Sequence, residues 1–274
     1  MRITALCENT SSDERLTQGH GLSMYIDMDD VHILFDIGPS NIFLDNARVL
    51  GIDISSVDMA ILSHGHYDHG GGLGTFLEVN SSAPVYMSAK AFGDYYSQRS
   101  ETVVKYIGLD KSLATNDRLV MLDRDRCLTD GVSTMSGIRH TYATPMNNKS
   151  LYEKVGDDYI LDTFDHEIDL VIETQSGYTL IVGCAHNGIR NIVEHFGEQY
   201  GTMPSHVFGG FHLMSRTGAS ESDESIDELA RYLLSTGAHY HTCHCTGVPQ
   251  YERMKNIMRD KIDYFSTGSA VDIK

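Results

Sequence analysis

Four side chains of types that bind metal ions lie within six residues of this sequence. His64, His66, Asp68 and His69 form an H-x-H-x-D-H motif, and three glycines follow at 70–72. Two histidines two positions apart at the end of a strand leave the backbone on the same side. Imidazole and carboxylate are the ligands expected for Zn²⁺, with Fe or Mn as alternatives. The motif therefore predicts a metal site in which Asp68 is also a candidate catalytic group.

The number of ions depends on ligands from elsewhere in the chain. Four protein ligands could close one structural zinc site, whereas six would serve two metals about 3.5–4 Å apart. His186 follows the apolar run TLIVGCA and His244 lies just beyond AHYHT, so both are candidate ligands near strand ends. His212, in FGGFHL, is a candidate ligand, substrate contact or structural residue. One or two ions are both compatible with this set.

Several neighbouring residues could support such a site. Asp36 ends the run HILFD, and we expect it either to accept a hydrogen bond from a ligating imidazole or to serve as a plain turn residue. Asn187 is predicted to cap a helix, whose N-terminus would favour an anionic substrate there. Three thiols could be zinc ligands or inert buried groups: Cys184, Cys243 and Cys245. Four imidazoles have no assigned role: His20, His140, His166 and His241. Three cations could contact a phosphate or be solvated surface charges: Arg99, Lys105 and Lys149.

Composition narrows the range of partners. The 274 residues carry a net charge of −17, which disfavours nucleic acid because that affinity rests on Lys and Arg contacts to phosphate. A small anionic substrate is compatible if metal ions supply positive charge. Five scattered cysteines do not suggest a disulfide framework. Without an apolar run approaching the roughly 18 residues of a membrane span, and without a secretory signal, the sequence predicts a cytoplasmic protein that does not contact membranes. The sequence is also compatible with a homo-oligomer.

Alternating strand and helix patterns must position these residues. Predicted strands cover 1–6, 21–27, 31–35, 58–62, 84–87, 119–122, 132–135, 167–173, 178–182, 206–209, 238–242 and 262–265. Predicted helices cover 89–96, the segment after Asn187, 222–235 with Leu234 among its inward residues, and about 249–258. Asp29 and Asp30 suggest a hairpin turn. This mixture predicts two packed β-sheets with helices outside, and 98–165 is a possible flap or insertion.

The motifs also resemble a known family. The segments that carry the resemblance are ENT at 8–10, HGLSMYI at 20–26, ILFDIGPS at 33–40, NARVLGID at 46–53, HGHYDHGGGL at 64–73, GCAHNGIRNIV at 183–193, GGFHL at 209–213 and HCTG at 244–247. They resemble the metallo-β-lactamase superfamily, in the branch named for 7,8-dihydropterin-6-methyl-4-(β-D-ribofuranosyl)aminobenzene 5′-phosphate synthase. The similarity covers nearly the whole chain and is weakest over 98–165.

The resemblance implies one α/β (α+β) domain over 1–274, a four-layer αββα sandwich with metals at one edge between the sheets. It implies that the metal ligands are His64, His66, Asp68, His69, His186 and His244. We expect His64, His66 and His186 to hold one metal. We expect Asp68, His69 and His244 to hold a second. Many members have a bridging aspartate where this sequence has His186, and His140 in IRHTYATP could take the place of their middle histidine.

The function implied is metal-dependent hydrolysis of a small, anionic or phosphorylated substrate. The metal would lower the pKa of bound water toward roughly 7 and supply hydroxide at neutral pH, while His212 would donate a proton or contact the substrate. Three alternatives remain. They are a pterin-linked synthase acting on a phosphorylated aromatic substrate, a di-iron redox protein, and a non-catalytic ligand-binding protein that retains its metal.

Overall fold

The structure is a computed structural model that describes residues 1–214 and 221–274. The strands are β1 Arg2–Cys7, β2 Ser23–Asp27, β3 His32–Phe35, β4 Met59–Leu62, β5 Val85–Ser88, β6 Tyr95–Gln98, β7 Val104–Tyr106, β8 Leu119–Leu122, β9 Cys127–Thr129, β10 Val132–Met135, β11 Leu151–Val155, β12 Asp158–Leu161, β13 Asp169–Thr174, β14 Gly177–Ile181, β15 His206–Gly209, β16 His239–Thr242, β17 Ile262–Tyr264 and β18 Ala270–Asp272. The helices are α1 Ile42–Leu50, α2 Tyr67–Gly70, α3 Leu73–Val79, α4 Ile189–Tyr200, α5 Asp223–Ser235 and α6 Val248–Met258. Short 3₁₀ turns cover Ile54–Ser56, Lys111–Leu113, Met146–Ser150, His244–Thr246 and Arg259–Lys261.

The chain forms two compact units, each with a core of its own. The first unit comprises Met1–Gly93, Ile107–Asp123 and Phe265–Lys274, and the second comprises Asp94–Tyr106 and Arg124–Tyr264. No helix among the described residues is both long and apolar enough to cross a bilayer.

The described strands of the first unit form one sheet in the order β18-β1-β2-β3-β4-β5-β8. Pairing is antiparallel from β18 to β3 and parallel from β3 to β8. The predicted hairpin between β2 and β3 is confirmed, and Asp29 turns it with φ of 65°. Apolar residues of α1 and α3, such as Phe43 and Phe76, pack on this sheet with Leu34 and Val85. Burial of this kind is the main force that stabilises the unit.

The described strands of the second unit form two sheets. The larger has the order β17-β16-β15-β14-β13-β10-β9, and its strands β14 to β17 are parallel neighbours. Helices α4, α5 and α6 bury Phe196, Ala230 and Met254 against it. The smaller sheet, β12-β11-β6-β7, is antiparallel and contains much of the region with weak sequence signals. Whether 98–165 acts as a flap stays a prediction.

Two local predictions outside the metal centre are wrong. The segment predicted as a helix over 89–96 is a turn followed by β6, because Tyr95 and Tyr96 pair with Glu153 and Tyr152 of β11. Pairing with a neighbouring strand overrides a weak local helical pattern. In α5, Leu234 is 38% exposed rather than inward, whereas the rest of the predicted helix is confirmed and starts at a Ser222 cap.

Candidate metal centre

The first unit brings the H-x-H-x-D-H residues together in what we call the motif cluster: His20, Asp36, His64, His66, Asp68 and His69. The imidazole centroids of His64 and His66 are 4.6 Å apart, and those of His64 and His69 are 4.2 Å apart. All three histidines are at least nine-tenths buried. His66 is the residue before α2, and Asp68 and His69 lie within that helix. His20 Nε2 lies 3.1 Å from the Asp68 carboxylate.

A serine and an aspartate fix the imidazoles of this cluster. The Asp36 carboxylate accepts hydrogen bonds from the Ser63 hydroxyl at 2.8 Å and from His69 Nδ1 at 2.6 Å. Because the Ser63 hydroxyl hydrogen is directed to Asp36, Ser63 Oγ accepts from His64 Nδ1, which lies 2.9 Å away. His64 and His69 therefore carry their proton on Nδ1, and each keeps a lone pair on Nε2. Ser63 was not recognised from the sequence, where nothing distinguishes it from an ordinary polar residue.

The glycines after the motif allow close backbone contacts. A Cβ atom added to Gly71 would lie 2.3 Å from the Pro39 carbonyl oxygen and 2.5 Å from that of Tyr67. Side chains do not tolerate such distances, so the turn that follows α2 requires glycine here. This contact anchors the motif to the loop after β3, which also carries Asp36.

The second unit presents what we call the strand-end cluster: Cys184, His186, His212, His244 and Cys245. These residues follow the parallel neighbours β14, β15 and β16, whose carboxyl ends meet at the same sheet edge. All five are more than nine-tenths buried. The imidazole centroids of His186 and His212 are 4.1 Å apart, and the Phe164 ring stacks on His186 at 4.3 Å.

The backbone is strained where these side chains leave the strands. Seven described residues other than glycine have positive φ, and four of them are Asp36 at 56°, Ala185 at 53°, His212 at 52° and His244 at 50°. An L-residue in this region costs about 1–2 kcal/mol. Such strain concentrates at functional sites, where the surrounding structure maintains it.

A buried carboxylate supports the turn that carries His186. Glu167 accepts hydrogen bonds from the backbone N–H groups of His186 at 2.6 Å and Asn187 at 2.8 Å, and from the Asn187 amide at 2.6 Å. Burial raises the pKa of Glu167, and these hydrogen bonds partly oppose the rise. Nothing in the sequence signals that this acidic residue is buried.

The prediction that Asn187 caps α4 is wrong. The residue before that helix is Gly188, and no side-chain cap hydrogen bond is made. The Asn187 amide is instead engaged by Glu167 and by His140, whose Nε2 lies 2.6 Å from Asn187 Oδ1. His140 thus has a hydrogen-bonding role in the second unit, and the substrate contact predicted for Asn187 stays a prediction.

The donor set of the strand-end cluster fits a metal ion. Cys184, His186 and His212 each place a ligand atom within 4.8 Å of the other two, and so do Cys184, His244 and Cys245. Burial raises the pKa of the Cys245 thiol, but hydrogen bonds with Cys184 and His212 outweigh it and lower the pKa to about 5. Thiolate and imidazole are ligands that suit Zn²⁺ and other soft to borderline metals.

The remaining histidines lie outside both clusters. His166 Nε2 contacts the Asp162 carboxylate at 3.1 Å. His241 is 5% exposed and stacks on Phe208, His206 and His239. Burial and the neighbouring histidines lower the pKa of His241 to about 3. These residues show that a high histidine content does not by itself mark ligands.

Comparison with known proteins identifies the family. The model of the metallo-β-lactamase superfamily matches residues 16–195 of this chain. The chain belongs to the metallo-β-lactamase superfamily. Its members typically bind metal ions, and the α/β fold class predicted from the sequence is confirmed.

Individual relatives of the superfamily cover almost the whole chain. The 7,8-dihydropterin-6-methyl-4-(β-D-ribofuranosyl)-aminobenzene-5′-phosphate synthase of Methanocaldococcus jannaschii is 31% identical over 268 residues, 92% of this chain and 89% of that protein. The crystal structure of a metal-dependent hydrolase of the β-lactamase superfamily superimposes with a TM-score of 0.85 and 30% identity, covering 100% of this chain and 99% of its own. Zn²⁺-bound PqqB from Methylobacterium extorquens shares the fold at a TM-score of 0.56 and 12% identity, covering 100% of both chains.

Proposed function

We propose that this protein is a metal-dependent hydrolase of a small, anionic or phosphorylated substrate. The observation that carries the proposal is the protonation of three buried imidazoles. An acceptor faces Nδ1 of each: Ser63 Oγ for His64, the Asp36 carboxylate for His69 and Asn148 Oδ1 for His186. Each Nε2 therefore retains its lone pair, which is how metal-binding histidines are commonly held.

The ligands we propose are those expected from the sequence: His64, His66, Asp68 and His69 of the first unit, and His186 and His244 of the second. Zn²⁺ suits this set, in one or two ions, with Fe or Mn as alternatives. When bound, a divalent ion makes water a better nucleophile at neutral pH and withdraws charge from a phosphoryl or carbonyl oxygen. Asp68 would orient the nucleophile, and His212 would contact the substrate.

A cavity in the second unit supports an anionic substrate. Arg99 and Lys149 line the same cavity of about 250 Å³, together with Ser100, Asn147, Ser150 and one acidic residue, Glu101. In a chain of net charge −17, a small cavity with two cations and one carboxylate favours an anionic group such as a phosphate over a cation. The predicted phosphate contact at Lys105 has no comparable support, since Lys105 does not line this cavity.

The relative from M. jannaschii favours a second candidate function. Because that relative is named as a synthase, we consider condensation of a phosphorylated aromatic substrate with a pterin as the alternative reaction. The proposed ligands are the same for both candidate reactions, so the ligand assignment does not distinguish them. Product analysis with each substrate class does.

Metal content tests the ligand assignment. His66→Ala and Asp68→Ala should each lose metal by elemental analysis of protein purified without chelators, whereas His195→Ala, on the outer part of α4, should retain it. Circular dichroism would establish that all variants are folded. Unchanged metal content in both His66→Ala and Asp68→Ala would overturn the proposal.

Activity tests the reaction. Phosphodiesters, phosphomonoesters, lactones and thioesters should be screened with the purified protein, with chelator, and after one metal is restored. Hydrolysis that disappears with chelator and returns with the metal supports the proposal. A metal-loaded protein that binds ligand without turnover would instead support the non-catalytic alternative, and redox-linked turnover with an iron spectrum would support the di-iron alternative.

A further inference from the structure

Two consecutive asparagines contact two different histidines of the strand-end cluster. Asn147 and Asn148 lie in the 3₁₀ turn Met146–Ser150. Asn148 Oδ1 lies 3.1 Å from His186 Nδ1, and Asn147 Nδ2 lies 3.2 Å from His212 Nε2. One asparagine therefore offers an acceptor to its histidine, and the other offers a donor.

Main-chain carbonyl groups determine which way each amide points. Asn148 Nδ2 donates to the His186 carbonyl oxygen at 2.7 Å, and Asn147 Nδ2 donates to the Met214 carbonyl oxygen at 3.1 Å. A carbonyl oxygen accepts only, so the nitrogen of each amide must face it. Rotating either amide by half a turn would oppose two oxygens, and the orientation is therefore set independently of the histidines.

These orientations determine which ring nitrogen of each histidine carries the proton. Since Asn148 Oδ1 accepts only, His186 carries its proton on Nδ1 and keeps the lone pair of Nε2. Since Asn147 Nδ2 donates only, His212 Nε2 accepts, and the proton of neutral His212 resides on Nδ1. That Nδ1 is buried and makes no hydrogen bond of normal geometry among residues 1–214 and 221–274, although the His212 side chain interacts with the Cys245 thiol.

We propose that Asn147 and Asn148 are positioning residues that assign opposite roles to the two histidines. His186 becomes a metal ligand through Nε2, and His212 becomes a hydrogen-bond donor through Nδ1. The inference rests on the proposed function and deepens it. It moves His212 away from metal ligation, because its Nδ1 is protonated and its Nε2 is occupied by Asn147.

The same geometry restricts what His212 does in the reaction. If Nδ1 released its proton while Nε2 accepted a hydrogen bond, the ring would become an anion, which a buried site disfavours. His212 therefore stabilises a developing negative charge on a substrate oxygen by hydrogen bonding, without transferring the proton. Its backbone is held for this purpose by the N–H···S contact with Cys245 Sγ, at 3.3 Å.

Identical substitutions at the two positions test the proposal. Asn147→Asp and Asn148→Asp both lose a donor to a main-chain carbonyl group, so they share the same local cost. They differ in what they present to the ring: Asn148→Asp still offers an acceptor to His186 Nδ1, whereas Asn147→Asp replaces the donor to His212 Nε2 by an acceptor. Only Asn147→Asp should change a tautomer, by moving the proton of His212 from Nδ1 to Nε2.

Nitrogen-15 NMR of the metal-free full-length protein reads the tautomers directly, with His186→Gln and His212→Gln used for assignment. We expect Nδ1–H on both rings in the wild type, Nε2–H on His212 in Asn147→Asp alone, and an unchanged His186 in both aspartate variants. Nε2–H on His212 in the wild type, or the same tautomers in Asn147→Asp as in the wild type, would overturn the inference.

Metal affinity separates the two roles. By competition with a chelator, Asn148→Leu should weaken metal binding about 10- to 100-fold, as expected when the acceptor behind a ligand is lost. Asn147→Leu should leave metal affinity within about threefold and lower turnover instead. Equal losses of affinity in both leucine variants would overturn the inference and leave the proposed function standing. A wild-type protein that binds no divalent ion would overturn the proposed function and, with it, the ligand role of His186.

Discussion

The motif cluster takes its candidate ligands from six consecutive residues, whereas the strand-end cluster takes them from the ends of three parallel strands. Both rely on glycine where backbones approach closely, at Gly71 in the first and Gly209 beside the second, but only in the second do candidate metal-binding residues themselves, His212 and His244, have positive φ. The first orients its imidazoles with a buried carboxylate, and the second with neutral amides. A local motif can thus be recognised from its spacing, while a dispersed one depends on topology and on strain that the rest of the fold maintains.

The largest effect is expected from the glycine contact in the motif cluster. Gly71→Ala would place a Cβ atom 2.3 Å from the Pro39 carbonyl oxygen, and we expect it to lower the free energy of unfolding by about 3 kcal/mol. Urea unfolding of the metal-free protein measures this. In the matched control Gly74→Ala, the nearest atom is Leu113 Cδ1 at 3.7 Å, so stability should be unchanged or rise by up to about 1 kcal/mol. Equal effects of the two substitutions would show that the motif cluster does not depend on this close approach.

The second largest effect is expected from Asp36, the buried carboxylate that accepts hydrogen bonds from Ser63 and His69 in the motif cluster. Asp36 accepts from Ser63 N, from the Ser63 hydroxyl and from His69 Nδ1. In the Asp36→Asn variant, the new amide would have to direct an N–H group at one of these donors, and we expect metal affinity to fall about 10- to 100-fold. Chelator competition measures the change, and Asp45→Asn on the exposed side of α1 is the control. An unaltered metal affinity in Asp36→Asn would show that an amide orients the imidazoles of the motif cluster as well as the carboxylate does.

The smallest effect concerns histidines that belong to neither cluster. His241 has its pKa lowered to about 3 by burial and by His239 and His206, with Asp263 opposing. Its unfolded pKa is about 6.5, so the unfolded chain binds more protons between these values and stability decreases as pH falls from 6.5 toward 3. Between pH 7 and pH 5.5, the metal-free wild type should lose about 1 kcal/mol more than His241→Gln in urea unfolding. Parallel losses in the two proteins would mean that His241 is not held neutral.

Sequence alone predicted the motif cluster better than its surroundings. The strands that precede His64, His186 and His244 were predicted because apolar runs between turn residues have a clear period, and the structure confirms them. The Asp36 position was also apparent at the end of such a run. Their role as ligands stays a prediction that the metal analysis must test.

The other parts of the site and of the fold could not be predicted because they depend on contacts between segments that are distant in the sequence. Glu167, Asn147 and Asn148 act through hydrogen bonds to residues 19 to 67 positions away, which leave no periodic trace in the sequence. Asn187 was misassigned because an asparagine before a helix is usually a cap, whereas here Glu167 and His140 engage its amide first. The same reasoning explains β6, where pairing with β11 replaced the predicted helix.

The left-handed residues Ala185, His212 and His244 have a consequence for the living cell. Their cost is borne by the folded chain whether or not an ion is bound, whereas an ion that binds only the folded chain restores stability, by about 2.7 kcal/mol at a hundred times its dissociation constant. Unfolded chains are removed continuously by proteases. During metal starvation we therefore expect the cellular amount of this protein to decline, rather than an inactive pool to accumulate, so that its abundance would follow the supply of its cofactor.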